Sequence, residues 1–138
     1  MLSITPPTLT DFDLSRLEVL VERLSRQAAP PSILPILDQE LERAIVMKPE
    51  AIPPSLVTMN SEVQVRDLET GVTRCLTLVF PTMASIDTGR VSVLAPIGLA
   101  LLGRSEGAQV AWHTPRGVRR SQLERVVYQP EAAGRFDL

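Results

Sequence analysis

Residues 92–103 read Ser-Val-Leu-Ala-Pro-Ile-Gly-Leu-Ala-Leu-Leu-Gly. Pro96 suits the first turn of a helix, where its missing N–H is not needed, and Gly103 suits the position just after a helix end. We therefore predict a short helix at 96–102, preceded by a short strand at 90–94. Within the helix, Ile97, Leu101 and Leu102 are expected to fill the core.

Alternating apolar residues on both sides of this helix predict a sheet. Val63 and Val65 alternate with polar neighbours, as do Val110 and Trp112 after the helix. Turn signals at 69–71 and 115–117 join neighbouring strands into hairpins. An antiparallel sheet with one short inserted helix belongs to the α+β class. The strands predicted in this way lie around 63–65 and at 72–80, 90–94, 109–114 and 118–128.

The first third of the chain predicts a helical hairpin. Thr10 or Asp11 can cap a helix that runs to about residue 27, and Ser32 can cap a second helix after the prolines at 30–31. A short loop between two amphipathic helices favours antiparallel packing. The apolar stripes consist of Leu14, Leu17, Leu20, Val21 and Leu24 in the first helix and Leu34, Leu37, Leu41, Ala44 and Ile45 in the second.

Proline residues at 49, 53 and 54 then mark a linker, where the helical period gives way to the strand period. We therefore expect two units: an N-terminal helical hairpin at 1–50 and a C-terminal domain at 51–138.

Composition excludes several classes of protein. With 44% hydrophobic and 22% charged residues among 138, the chain can build a core, and its net charge of −2 does not support a broad nucleic-acid-binding surface. Residues 1–10 show no secretory signal, and the apolar run at 91–102 is too short to cross a bilayer. The single cysteine, Cys75, allows no intramolecular disulfide. A cytoplasmic location without a membrane partner is expected.

Three strings in a common register carry a family resemblance. They are Val-Thr-Met-Asn-Ser at 57–61, the segment at 92–103, and Tyr-Gln-Pro-Glu-Ala-Ala-Gly at 128–134. Together with the order of elements, which covers nearly the whole chain, they resemble the regulator of nucleoside diphosphate kinase (Rnk) family, relatives of the Gre transcript cleavage factors.

The resemblance implies an FKBP-like C-terminal domain preceded by a shortened coiled coil. It also implies RNA polymerase as the partner. In the Gre group, the C-terminal domain grips a coiled coil at the rim of the polymerase secondary channel, and the N-terminal coiled coil enters the channel. Cleavage factors carry an acidic pair at the tip of that coiled coil, which helps to hold the second catalytic Mg²⁺.

This chain lacks acids where that chemistry needs them. The predicted tip at 26–32 contains none, and the nearest, Glu22 and Asp38, lie more than a turn back. Since carboxylates hold Mg²⁺, we expect no metal, no cofactor and no catalytic residue. A helix of about 17 residues also reaches only about 25 Å, roughly half the arm of a cleavage factor. We therefore expect a regulator that docks without cleaving transcripts, and not an enzyme.

The resemblance points to Leu94, Ala95, Pro96, Ile97 and Gly98 as the partner-binding residues. Gre factors usually carry Asp-Ser-Pro where this chain has Leu-Ala-Pro, so only the proline is shared. A loop-to-helix junction is a natural place for binding residues. For Ala95, Pro96 and Ile97, a purely structural role stays open beside the binding role.

Other candidate residues favour structural roles. His113 is the sole histidine, so no histidine triad or metal cluster can form around it, and Cys75 lies mid-strand, which predicts a small core residue. A group of arginines near the last hairpin is interpreted as a solvated strand face rather than a nucleic-acid surface. We expect no sequence-specific nucleic-acid binding and favour a monomer. The arginines of that group are Arg116, Arg119, Arg120 and Arg125.

Two other functions remain as alternatives. The FKBP-like fold alone suggests a peptidyl-prolyl isomerase, although the predicted C-terminal domain offers few of the aromatic side chains that such a pocket uses. A direct regulator of a kinase, binding through the outer face of the hairpin, is the other alternative. In the favoured interpretation, any effect on nucleoside diphosphate kinase is indirect, through transcription.

Overall fold

The computed structural model describes residues 5–138. Residues 1–4, with which the predicted unit 1–50 and the stretch inspected for a signal both begin, lie outside the described residues. Short 3-10 turns at Pro49–Ala51, Pro81–Met83 and Ile86–Thr88 interrupt the loops. In chain order, the elements are β1 (Thr8–Thr10), α1 (Asp11–Ser25), α2 (Leu34–Glu42), β2 (Ile45–Met47), β3 (Glu62–Asp67), β4 (Thr73–Val79), β5 (Arg90–Ser92), α3 (Pro96–Leu101), β6 (Gln109–Thr114) and β7 (Gly117–Tyr128).

The central sheet has five strands in the order β5-β4-β3-β7-β6. Three of the four neighbouring pairs are antiparallel, but β5 runs parallel to β4, so the prediction of a wholly antiparallel sheet is wrong. The cause is the segment between them, which crosses over with two 3-10 turns and returns in the same direction. Register shifts where β7 pairs with β3 mark bulges, which bend a long strand and curl the sheet. The class is mixed α+β.

Helix α3 lies against the sheet, as predicted. Leu101 and Leu102 are buried, together with Leu78 of β4 and Leu123 of β7, while Ile97 is half-buried at the edge of the same cluster. The apolar cluster does not end there. It continues without a break into the buried leucines of the N-terminal helices, which are Leu17, Leu20, Leu37 and Leu41.

The helix pair α1–α2 is shorter than predicted. The Thr10 side chain caps α1 by accepting a hydrogen bond from the N–H of Asp13 at 2.9 Å, and the helix ends at Ser25 rather than near residue 27. Ser32 does not cap α2, which begins only at Leu34, after Ile33, with Pro35 in its first turn. An earlier start would move Pro35 beyond the first turn, where its missing N–H would break a helical hydrogen bond.

A second, two-stranded sheet was not predicted. β1 and β2 pair in parallel on either side of the helix pair, and the N–H of Thr8 in β1 donates to the carbonyl of Gly103 just beyond α3. Three-residue strands are too short to leave a periodic pattern in the sequence. Ile45, predicted as the last apolar residue of the second helix, is instead an exposed residue of β2.

Cys75 does not lie in the core, so that prediction is wrong. Strand alternation places Leu76 and Leu78 of β4 in the core and turns Cys75 to the outer face of the sheet, where it is exposed. The outer face of the five-stranded sheet is thus open to solvent at this point.

Gly103 is required by a close approach of the β1 segment. It has φ +72°, and a Cβ there would lie 2.6 Å from Cβ of Pro7 and 2.8 Å from N of Thr8. Gly71 has nearly the same φ, +76°, but has open space around it. A comparison of alanine substitutions at the two glycines therefore distinguishes the cost of a positive φ from the cost of steric overlap.

We expect Gly103→Ala to lower the free energy of unfolding by about 1–3 kcal/mol more than Gly71→Ala, because only the former forces two backbone segments apart. Urea unfolding followed by circular dichroism measures both. Equal losses in the two variants would contradict the close packing of β1 on the turn after α3.

Candidate partner-binding site

The junction between β5 and α3 is a tight turn built around Ser92. Its Oγ accepts a hydrogen bond from the N–H of Leu94 at 3.0 Å, and its carbonyl accepts one from Ala95 at 2.9 Å. The carbonyl of Ala95 in turn accepts from the N–H of Leu99 at 2.9 Å and opens the helix, with Pro96 at its first position. The backbone of the predicted binding segment is therefore held in one conformation.

The five predicted residues have different surroundings. Gly98 is buried, and a Cβ there would lie only 2.1 Å from the carbonyl oxygen of Ser92. Leu94 and Ile97 are half-buried and pack against the core. Ala95 is half-buried, and Pro96 is exposed. The structure thus brings all five together, and it leaves Pro96 as the member most open to a partner.

A cleft of about 300 Å³ opens beside Pro96. Its walls come from α3, from Ile33 and the first half of α2, and from strand β6. Trp112 supplies an aromatic surface within it, and His113 lies exposed at its rim. The apolar part of the lining consists of Ile33, Ile36, Pro96, Leu99, Ala100, Val110, Ala111 and Trp112.

The cleft was missed in the sequence because its walls come from two distant segments of the chain, residues 33–40 and 96–113. One partial signal was present. Ile33 and Ile36 interrupt the spacing of the predicted second stripe, and both are apolar positions outside it. Ile36 is 40% exposed, which an apolar residue at the start of a core helix would not be.

A buried ion network closes one side of the cleft. Glu40 of α2 accepts two hydrogen bonds from Arg43, at 3.1 and 3.0 Å, and its carboxylate lies 3.8 Å from the guanidinium of Arg104. Arg104 also donates to the carbonyl of Thr5 at 2.6 Å. Burial lowers the pKa of Arg104, and the charge of Glu40 opposes that shift. The network connects α2 to the turn after α3 and so holds the two walls together.

The predicted arginine group is divided between the two faces of the sheet. Arg119 pairs with Asp67 on the same face as Val65, while the alternation of β7 turns Arg120 to the opposite, outer face. Hydrogen bonds from the Thr70 N–H, the Arg119 side chain and the Glu69 N–H lower the pKa of Asp67 to about 2. Arg116, Arg120 and Arg125 are exposed, which fits the predicted solvated face.

The loop between α1 and α2, residues 26–33, carries no carboxylate. Glu22 lies one turn before it and forms an exposed ion pair with Arg26 at 2.5 Å. Within residues 5–138, no group of three or more acidic, histidine or cysteine side chains is arranged to hold a metal ion. In the same part of the chain, no helix is both long enough and apolar enough to cross a membrane.

A buried carboxylate, Asp13 of α1, was also missed. Its side chain is fully buried, and it accepts hydrogen bonds from the N–H of Met59 at 3.0 Å and from Arg16 at 2.6 Å. Its sequence signal was the position itself, four residues before Leu17 and seven before Leu20, on the apolar stripe.

Comparison with known proteins defines the class first. Residues 52–128 match the family described as transcription elongation factor, GreA/GreB, C-term, and residues 8–47 match the family described as Rnk N-terminus. A solved structure described as prokaryotic transcription elongation factor GreA/GreB from Nitrosomonas europaea is 41% identical, with a TM-score of 0.75, over 88% of this chain and 99% of that one. The fold is thus that of a Gre-like factor.

The particular family follows from full-length relatives. The regulator of nucleoside diphosphate kinase of Escherichia coli K12 is 39% identical over 93% of both chains. A GreA of Syntrophobacter fumaroxidans is 33% identical over 63% of this chain and 56% of its own length. The chain belongs to the regulator of nucleoside diphosphate kinase (Rnk) family, whose relatives are named as regulators and transcription factors.

Two substitutions at the α3 junction distinguish a residue needed for packing from one that is exposed to a partner. We expect Gly98→Ala to lower the free energy of unfolding by about 1–3 kcal/mol or more, because its Cβ overlaps the Ser92 carbonyl. Pro96→Ala, at an exposed position, is expected to cost no more than about 1 kcal/mol. Chemical denaturation measures both, and equal stability of the two variants would contradict this division of roles.

Asp13 is expected to give the protein a pH-dependent stability. Burial raises its pKa above 3.8, Glu131 adds to the shift, and the hydrogen bonds from Met59 and Arg16 oppose it. The folded chain therefore holds this proton more tightly than the unfolded chain, so the contribution is present below pH 3.8 and is lost as the pH rises through the raised pKa.

The matched variant is Asp13→Asn, which cannot titrate. The free energy of unfolding of the wild type minus that of this variant is expected to fall as the pH rises above 3.8. Urea titrations at several pH values measure the difference. A difference that rises with pH would show that the Arg16 pair outweighs the burial of the charge.

Proposed function

We propose that this protein is a regulator that binds RNA polymerase at the rim of its secondary channel. The C-terminal domain, residues 51–138 with an FKBP-like arrangement, provides the contact, and the N-terminal hairpin at 1–50 is a shortened coiled coil. Leu94, Ala95, Pro96, Ile97 and Gly98 form the contact segment. The observation that carries the proposal is the match to the GreA/GreB C-terminal family across 52–128, which spans this segment.

The junction has the properties of a contact site. It is preorganised by three hydrogen bonds around Ser92 and Ala95, so little backbone entropy is lost on binding. Pro96 is exposed next to an apolar cleft. A side chain of the partner that enters this cleft would be removed from water. Since Leu94 and Ala95 replace the acidic and hydroxyl residues usual in Gre factors, the contact here is apolar.

We further propose that the protein does not cleave transcripts. Its α1–α2 loop has no carboxylate to hold a catalytic Mg²⁺. Helix α1 has 15 residues and reaches only about 22 Å at 1.5 Å per residue. The protein acts in the cytoplasm as a non-enzymatic occupant of the channel rim, in competition with Gre factors, and affects nucleoside diphosphate kinase through transcription.

A direct effect on nucleoside diphosphate kinase is the second candidate, since the relative from Escherichia coli is named as its regulator. In that case the purified kinase binds this protein without polymerase present. A co-purification with the kinase alone, beside one with core polymerase alone, discriminates the two.

The contact segment is tested with charge placed at its exposed residue. We expect Pro96→Glu to weaken binding to core polymerase at least tenfold, or about 1.4 kcal/mol, because a carboxylate must then be desolvated in an apolar contact. Pro115→Glu, at an exposed proline in the β6–β7 turn, serves as the matched control and should bind as the wild type does. Equal binding by both variants would refute the assigned segment, and no binding by the wild type would refute the partner.

The absence of cleavage is tested on stalled elongation complexes. The wild-type protein is expected to leave the length of the nascent RNA unchanged with Mg²⁺ present, while a Gre factor in parallel shortens it. Shortening that requires this protein would overturn the non-enzymatic assignment.

A further inference from the structure

We propose that Asp13 and Arg16 form a polar latch that fixes the direction of the helix pair relative to the sheet domain. The latch itself is inferred from the contacts of α1, and only its effect on partner binding rests on the proposed function. The direction of the pair sets where the α1–α2 loop lies when the α3 junction contacts a partner.

Asp13 supplies the first half of the latch. One carboxylate oxygen accepts a hydrogen bond from the N–H of Met59, in the segment that leads into β3, and the other accepts one from Arg16. The side chain has no exposed surface, and Met59 is equally buried. The N–H of Met59 therefore has no water to replace its partner, and it ties α1 to one position on the domain.

Arg16 supplies the second half. Its guanidinium lies 4.0 Å from the ring centre of Phe12 and 4.7 Å from that of Phe80, which follows β4. It also donates to the carbonyl of Leu138 at 2.9 Å. One side chain of α1 thus contacts the end of a central strand and the C-terminal segment at once, through cation–π contacts and a hydrogen bond.

Buried polar residues hold the segment that Asp13 contacts. Glu131, which is buried and acts electrostatically on Asp13, accepts a hydrogen bond from Oγ1 of Thr58 at 2.7 Å. Thr58 in turn shares a hydrogen bond of 2.9 Å with Ser61. These bonds hold the segment 58–61, and therefore the N–H of Met59, in a fixed position for Asp13 to reach.

Apolar packing alone does not fix such a direction. The leucines that α1 contributes to the shared core are attracted to any apolar neighbour, since the hydrophobic effect has no preferred direction. A hydrogen bond to a single buried N–H is directional and is lost when the helix turns or slides. The latch therefore favours the orientation in which Asp13 reaches the N–H of Met59, and it acts beside the Glu40–Arg104 pair on the other helix.

The experiment measures the direction of the helix pair without polymerase. Cys75, the only cysteine, is exposed on the outer face of β4 and accepts one spin label, and Ala28→Cys in the exposed α1–α2 loop accepts a second. Pulsed electron–electron double resonance then gives the distribution of distances between the two labels. Removing the latch is expected to leave the domain folded and to widen that distribution at least twofold.

Three latch variants and one control are compared in this doubly labelled background. Asp13→Ala and Arg16→Gln should widen the distribution, while Asp13→Asn should widen it less, because its amide oxygen still accepts from Met59. The control is Asp38→Ala, which removes an exposed acid from the same helix pair, and it should match the unaltered protein. If Asp13→Ala does not fold, Arg16→Gln against Arg16→Lys carries the test, with the lysine variant the narrower of the two.

A merely stabilising role gives a different result. In that case, the latch variants unfold at lower urea concentration but keep the narrow distribution of the control, and this outcome would overturn the latch. The proposed function can fail in a polymerase binding assay while the distances still change, and the reverse also holds, so the two failures are distinguishable.

Discussion

The leucines of α1 and α2 lie in the same apolar cluster as the inward residues of α3 and of the five-stranded sheet. Burying a leucine stabilises a fold by roughly 1.5–3 kcal/mol, and four such side chains from the helix pair are buried in this cluster. The helices have 15 and 9 residues, and isolated helices of up to about 12–15 residues are only marginally stable in water. Their folding is therefore bound to that of the domain.

That shared core explains the polar contacts at its edges. Asp13 with Arg16 on one side, and Glu40 with Arg104 on the other, join each helix to a different part of the domain. Removing one member of such a buried pair leaves an uncompensated charge, so each contact is costly to break although it adds little net stability. Their value lies in specifying how the helices sit, which apolar side chains alone leave open.

Much of the domain could be predicted from its sequence, because strong local signals agree there. Pro96 and Gly103 bound α3, the alternation around Val110 and Trp112 marks β6, and the turn at 115–117 marks the last hairpin. The remaining features depend on contacts between distant segments. β1 pairs with β2 across 37 residues, and the parallel return of β5 depends on a crossover whose path no periodicity reports.

The candidate site, too, could be predicted only in part from the sequence. The segment 94–98 could be selected from its resemblance to a family, but its individual roles could not. Only the approach of Gly98 to the Ser92 carbonyl separates a packing glycine from an exposed proline two residues earlier. The cleft beside Pro96 and the burial of Asp13 come from tertiary packing. Their traces in the sequence were two isoleucines outside the apolar stripe of the second helix and an acid on the stripe of the first.

A Gre-like domain that shares its core with its helix pair differs mechanically from one that carries a free arm. The reach of a free arm is set by the length of its helices. The domain that binds the partner is then independent of the position of the arm. Here residues of α2 line the cleft beside Pro96, which belongs to the proposed contact segment, so a movement of the helix pair changes the surface at that segment. In the proposed function, docking and helix direction are therefore coupled. A partner that fills the cleft favours one direction of the pair, and by thermodynamic reciprocity a fixed direction favours the partner.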